Sequence, residues 1–156
     1  NTLANEYPEC GGNYEVFHHA EFIRDLIQGG KLKLKSDVLS VTYHDPCYLG
    51  RHNGMYDAPR EVLMSVSRSG IREMRRNRSK SLCCGAGGGY AWMDDKLETR
   101  INHMRLEEVK GCGAQIAAVS CPFCMQMFED AISVKDPERT VRAADIAELV
   151  AEALDA

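Results

Sequence analysis

Along the chain, short runs of apolar and β-branched residues alternate with stretches in which apolar positions return every three or four residues, the signature of strands followed by helices. Gln115-Ile116-Ala117-Ala118-Val119 is the clearest buried strand, and Val38-Leu39-Ser40-Val41-Thr42-Tyr43 is a second, rich in β-branched residues. Tyr14 to His19 reads as a further short strand. Ile71 to Arg76 reads as a weak one, diluted by Arg72, Glu73, Arg75 and Arg76, and Val141 as a short last strand or the approach to a helix.

Helical spacing fills the intervals. Phe22, Ile23, Leu26 and Ile27 mark a helix over 20–28 that Gly29-Gly30 stops, ahead of a solvated Lys-Leu-Lys-Leu-Lys edge or loop. Tyr56-Asp57-Ala58-Pro59 offers a cap and an early proline for a helix reaching Ser67, with Val62, Leu63 and Val66 inward and Gly70 as its stop. Asp94 or Asp95 is placed to cap a helix running to Lys110, with Leu97, Ile101, Met104, Leu106 and Val109 as its stripe and Gly111-Cys112-Gly113 as its end. A helix from Pro122 to about Ile132 and a closing one over 144–154, carrying Ile146, Leu149, Val150 and Leu154, complete the series. The alternation predicts an α/β fold, a Rossmann-like parallel sheet flanked by helices.

Composition narrows the class. With 156 residues and 44% apolar content the chain suits one domain with a core of its own. Seven cysteines are an odd and unevenly clustered set with no signal peptide beside them, which favours a reducing, cytoplasmic setting over a secreted disulfide framework. A net charge of -4 leaves no basic stripe for a phosphate backbone, so nucleic acid is not expected as a partner. No apolar run is long enough to span a membrane.

The cysteines have an order. Cys47 follows one predicted strand, the adjacent pair Cys83 and Cys84 follows another, and Cys121 and Cys124 follow a third. Between them lie 35 residues from Cys47 to Cys83 and 36 from Cys84 to Cys121, each close to one strand–helix–strand step. In an open parallel sheet the carboxyl ends of the strands share one edge, where ligands bind. The metal site is expected there.

Adjacent cysteines close a disulfide with each other poorly, and they suit a structural zinc poorly too, since zinc ligand pairs normally stand two to four residues apart. A multi-iron cluster tolerates them, because neighbouring thiols can bind different irons. Gly85, Gly87, Gly88 and Gly89 would let backbone N–H groups approach the cluster sulfides. Pro122, directly after Cys121, puts that thiol at a helix N-terminus, which favours thiolate.

His44-Asp45-Pro46-Cys47, Cys83-Cys84-Gly85-Ala86-Gly87-Gly88 and Cys121-Pro122-Phe123-Cys124 together resemble the cysteine-rich, or CCG, domain of the heterodisulfide reductase family and its relatives, among them the glycolate oxidase iron–sulfur subunit. The resemblance spans about Tyr14 to Ile132. It implies a noncubane 4Fe-4S cluster held by Cys47, Cys83, Cys84, Cys121 and Cys124, with Gly85, Gly87 and Gly88 beside it; zinc is the alternative, in a structural or scaffolding domain. It also implies electron transfer from a flavoprotein to a quinone-type acceptor, or reduction of a disulfide substrate. Implied partners are a first CCG repeat, a ferredoxin-like segment or subunit and a flavoprotein, with any membrane reached only through a partner or another segment. The expected location is the cytoplasm or the inner face of its membrane. Residues 1–13 look like the remnant of a preceding repeat or a linker, and 14–156 like the second copy.

Other residues carry plainer expectations. Cys10 and Cys112 fall outside the pattern and are expected to be incidental thiols. His44 is poised either to tune a cluster through a hydrogen bond or to satisfy backbone groups at the strand end. His18, His19 and His52 read as structural or loop residues, Tyr90 and Trp92 as a cover against water, and Met125 and Met127 as helix packing.

Overall fold

The computed structural model describes residues 1–35, 40–93 and 99–154. Its centre is a sheet of three parallel strands, β1 (Val41–Tyr43), β2 (Ile116–Val119) and β3 (Arg142–Asp145), in that spatial order. Val41 stands opposite Ile116, and Ile116 opposite Arg142. Five α-helices lie among the described residues: α1 (His19–Gln28), α2 (Asp57–Val66), α3 (Ile101–Gly111), α4 (Pro122–Lys135) and α5 (Ile146–Glu152).

Strand side chains alternate between faces, so each face needs its own cover. Val41, Tyr43, Ile116, Ala118 and Ala144 meet Val62, Leu63 and Val66 of α2, Ile146, Leu149 and Val150 of α5, and Ala20 of α1. On the other face Ala117 and Val119 meet Leu106 and Val109 of α3 and Met127, Phe128, Ala131 and Ile132 of α4. The small Ala117 and Ala118 let both helical layers approach the middle strand. Val62, Leu63 and Val66 are fully buried, and such side chains stabilise by roughly 1.5–3 kcal/mol each.

The sheet is smaller than the sequence pattern predicts. Tyr14 to His19 forms no strand: Tyr14, Val16 and Phe17 are exposed, and His18 instead caps α1 through a hydrogen bond that Nδ1 accepts from the Ala20 N–H. Among the described residues Ile71 to Arg76 contributes one bridge, Ile71 to Val41, after which the charged Arg72, Glu73, Arg75 and Arg76 leave too few apolar contacts for a ladder. In α1, Phe22 faces solvent. The buried side of α3 consists of Asn102, Arg105, Leu106 and Val109, while Met104 is exposed. The expected cap at Asp94 or Asp95, Leu97 of that stripe, and Val38-Leu39 of the first strand lie outside the described residues. Asp57 opens α2 without capping it and pairs with Arg78 at 2.8 Å. The last helix ends at Glu152, before Leu154.

Candidate metal centre

β1 and β2 are parallel neighbours, so both deliver the chain to the same edge of the sheet. Past β1 come His44, Asp45, Pro46 and Cys47; past β2 come Ser120 and Cys121, the latter directly before Pro122 at the start of α4. The Tyr43 and Ser120 hydroxyls, 2.6 Å apart and buried, tie the two strand ends together.

The segment bearing Cys83 and Cys84 does not arrive on a strand. Two buried arginines bring it in. Arg60 of α2 donates to both Asp45 carboxylate oxygens at 2.7 and 3.0 Å, to the Glu73 carboxylate at 2.6 and 3.0 Å, and to the Tyr56 carbonyl at 2.9 Å. Asp45 in turn accepts the Arg78 backbone N–H at 2.7 Å, and its carbonyl accepts from the Ser81 hydroxyl. Arg105 of α3, wholly buried, donates to the Arg76 carbonyl at 2.7 Å, the Ser81 hydroxyl at 3.2 Å, His44 Nδ1 at 3.1 Å and the Glu108 carboxylate. Buried charges persist only when paired and hydrogen-bonded, so both cations are anchored by what they hold.

The result is a single group of sulfurs. Cys84 Sγ and Cys124 Sγ are 3.3 Å apart, and both are almost wholly buried. Cys83 shares a hydrogen bond with Cys84, and Cys121 with Cys124. Cys47 is close enough for its charge to act on Cys83, and with Cys121 it lines a cleft of about 410 Å³ that also reaches Phe17, His18, Tyr48 and Met55. No cysteine is in a disulfide. All five cysteines of the sequence pattern therefore meet at the carboxyl edge, while Cys10 is exposed elsewhere and Cys112 donates its thiol to the Val109 carbonyl at 3.1 Å.

Charge within the group is unevenly shared. Cys84 is held far below the usual thiol range, first by the hydrogen bond from Cys124, then by those from Cys83, His44 and the Ala86 N–H. Cys121 is pushed down to about 6 by Cys124 and by the Cys124 and Phe123 N–H groups at the start of α4. Cys83 and Cys124 are raised correspondingly, Cys83 chiefly by Cys84 and Cys124 chiefly by Cys121 and Cys84, which share its one S–H proton. Protons thus hold together sulfurs that a metal could hold instead. The soft, anionic donor set fits zinc or iron–sulfur chemistry and not a hard oxygen-seeking cation.

The glycine loop divides in two. Gly85 is buried with φ +92°, a β-carbon there would stand 3.2 Å from Ile101 Cβ, and its N–H donates to Cys83 Sγ at 3.3 Å. Gly87 and Gly88 lie in an exposed turn beyond it. Trp92, expected as a cover, is 80% exposed, whereas Tyr90 is half-buried. Met127 packs in the core as expected. His52 stacks on Tyr48 at the surface, and His19 pairs with Asp145 at 3.2 Å.

Sequence reading gave Asp45 only as a member of the His44-Asp45-Pro46-Cys47 motif, without a role, and missed Arg60 and Arg105 as parts of this site. The signal for Arg105 was faint but present: Asn102, Arg105, Leu106 and Val109 recur at helical spacing, and polarity hid the stripe.

Comparison with known proteins agrees with this geometry. The family model for the cysteine-rich domain, CCG, matches residues 41–129, which contain all five clustered cysteines. Over 99% of its length the chain is 39% identical to the probable iron-sulfur-binding oxidoreductase FadF of Bacillus subtilis and 37% identical to the EtfAB:quinone oxidoreductase of Syntrophomonas wolfei, covering 22% of each. Over 90% of its length it is 41% identical to a subunit of the dihydromethanophenazine:CoB–CoM heterodisulfide reductase of Methanosarcina barkeri, covering 34% of that protein. The chain thus spans about a fifth to a third of these relatives. With five cysteines gathered at one sheet edge inside the matched region, the chain belongs to the cysteine-rich (CCG) domain family.

Proposed function

We propose that this chain is a redox domain of an iron–sulfur oxidoreductase, holding a noncubane 4Fe-4S cluster through Cys47, Cys83, Cys84, Cys121 and Cys124. The observation that carries the reading is the convergence of these five thiols from three separate segments. The iron–sulfur names of similar proteins support it. Bound there, such a cluster would take up and release electrons one at a time.

The noncubane form is supported by the way the adjacent pair divides. Cys84 points inward to Cys124 and His44, while Cys83, besides its bond with Cys84, accepts the Gly85 N–H and feels the charge of Cys47. Two consecutive thiols that differ in their further neighbours suit several irons better than one tetrahedral ion. Phe128 and Met127 keep water from the inner thiols, Gly85 supplies an N–H to sulfur, and we keep Gly87 and Gly88, in the exposed turn beyond it, as the loop that would flank the cluster on its outer side.

The cleft at Cys47 and Cys121 is the opening through which a donor, an acceptor or a disulfide substrate would approach. For donor and acceptor we favour a flavoprotein and a quinone, in line with the EtfAB:quinone relative. A preceding repeat of the same domain and a ferredoxin-like segment or subunit complete the proposed assembly, with 14–156 as the second repeat and 1–13, which buries nothing up to Cys10, as its approach. No helix among the described residues is long and apolar enough to cross a membrane, and we assign the domain to the cytoplasm, at the membrane's inner face when a partner anchors it.

Zinc is the second reading, favoured by the close approach of ligand atoms from His44, Cys84 and Cys124, all within 4.8 Å of one another. Anaerobic purification of the full-length protein with iron, acid-labile sulfide and zinc analysis separates the two. Iron and sulfide with a paramagnetic signal on oxidation or reduction are expected; stoichiometric zinc with neither overturns the proposal.

A further inference from the structure

His44 sits where it could be taken for a ligand: a fully buried imidazole within reach of two buried thiols at the carboxyl edge of β1. Its orientation is over-determined. The backbone N–H is bonded to the Ala118 carbonyl at 2.9 Å, and the ring meets Phe128 edge-on with centroids 5.3 Å apart. Arg105 Nε donates to Nδ1 at 3.1 Å, and that guanidinium is itself fixed by Glu108, Ser81 and the Arg76 carbonyl.

An arginine Nε carries a hydrogen in every relevant state, so the atom it faces must offer a lone pair. If Nδ1 has the lone pair, a neutral imidazole carries its proton on Nε2. Turning the ring over would set a C–H against the guanidinium N–H and leave both buried polar groups unpaired, which is costly. Nε2 is the atom left to meet the Cys84 sulfur. A nitrogen bearing a proton has no lone pair for a metal.

We infer that Arg105 fixes His44 as the Nε2–H tautomer, so that His44 is a hydrogen-bond donor to Cys84 Sγ and not a metal ligand. Arg105 is the positioning residue, acting through the ring. The inference rests on the functional reading for its redox consequence. An N–H donor lowers the electron density on a ligating sulfur and favours the more negative, reduced form, so the pair raises the reduction potential of a cluster held by Cys84.

The test uses the full-length protein loaded with iron and sulfide. With 15N-labelled histidine, electron–nuclear double resonance is expected to show only the weak coupling of a nitrogen one hydrogen bond away, together with a proton coupling lost in D2O. A strongly coupled, directly bound nitrogen overturns the inference. His44→Gln, whose amide N–H reaches towards the same sulfur, is expected to retain wild-type iron content and a near wild-type midpoint potential. His44→Leu is expected to retain the iron with a more negative potential; an unchanged potential, or iron lost from both variants, overturns it. Wild-type protein lacking iron and sulfide would defeat the functional reading instead. The tautomer would then be read in the zinc or metal-free form from 15N chemical shifts, with a proton on Nε2 expected and a proton on Nδ1 overturning the inference.

Discussion

The inner and outer sides of the thiol group are built from the same residue type and differ in almost everything else. Cys84 and Cys124 are sealed between α3, α4 and the sheet, against Phe128, His44 and the buried cation of Arg105. Cys47, Cys83 and Cys121 are half-exposed, with Cys47 and Cys121 bordering a cleft lined by loop residues. The inner side fixes geometry and charge; the outer side gives access. A centre that passes electrons needs both, since preorganised donors tune a site only where water is excluded, and a partner can approach only where it is not.

The contrast breaks most visibly at the proposed ligands themselves. Cys84→Ala is expected to abolish iron and sulfide uptake, and added 2-mercaptoethanol to leave it abolished, because the position is almost wholly buried. Cys47→Ala is expected to lose iron and to regain part of it with the same thiol, which enters through the cleft. Iron and acid-labile sulfide after anaerobic reconstitution measure both, and equal rescue would erase the distinction.

Next in size is the scaffold behind the thiol group. Arg60→Met leaves the Asp45 carboxylate buried without its partner, and breaking such a pair costs about 3–5 kcal/mol. Urea unfolding of the metal-free protein is the measurement. A loss near zero would mean that Asp45 finds other donors and that the clamp is not what joins the 78–84 segment to β1.

A smaller effect lies at the opposite end of the sheet, where Asp136 accepts the Val141 N–H at 2.8 Å, the Thr140 hydroxyl at 2.7 Å and the Lys110 ammonium at 3.1 Å. The Val141 N–H first, then the Thr140 hydroxyl and Lys110, hold its carboxyl down at about 2. A depressed carboxyl contributes its stability above its ordinary value near 3.8, and that contribution is lost as pH falls from there through about 2. Asp136→Asn is therefore expected to flatten the acid limb of the stability curve between about pH 4 and 2, read by circular dichroism, and to leave iron content alone.

Smallest of all is Cys112→Ser, whose hydroxyl can keep the bond to the Val109 carbonyl, so iron content is expected to be unchanged. Loss of iron there would mean that the inner and outer sides have been drawn around the wrong sulfurs.

How far these features were legible depended on how local they were. Ile116 to Val119 and the helix carrying Val62, Leu63 and Val66 could be read because strand runs and helical stripes are printed in neighbouring residues. Tyr14 to His19 misled because period and composition are necessary for a strand, while a ladder also needs a partner, and these residues pair with no strand among the described residues. The same reasoning failed for Ile71 to Arg76, where one bridge is all the sheet accepts.

By itself the sequence determined the α/β alternation, the five candidate sulfurs and their spacing, since each depends on residues a few positions apart or on one repeated interval. Tertiary structure alone decided which thiols are sealed and which are open, that Cys83 and Cys84 arrive on a segment held by Asp45, Arg60 and Arg105, and which nitrogen of His44 carries the proton. The physical reason is range. Burial, a paired buried cation and a tautomer are set by atoms that are neighbours in space, and in Arg105 and His44 those atoms are sixty-one residues apart along the chain.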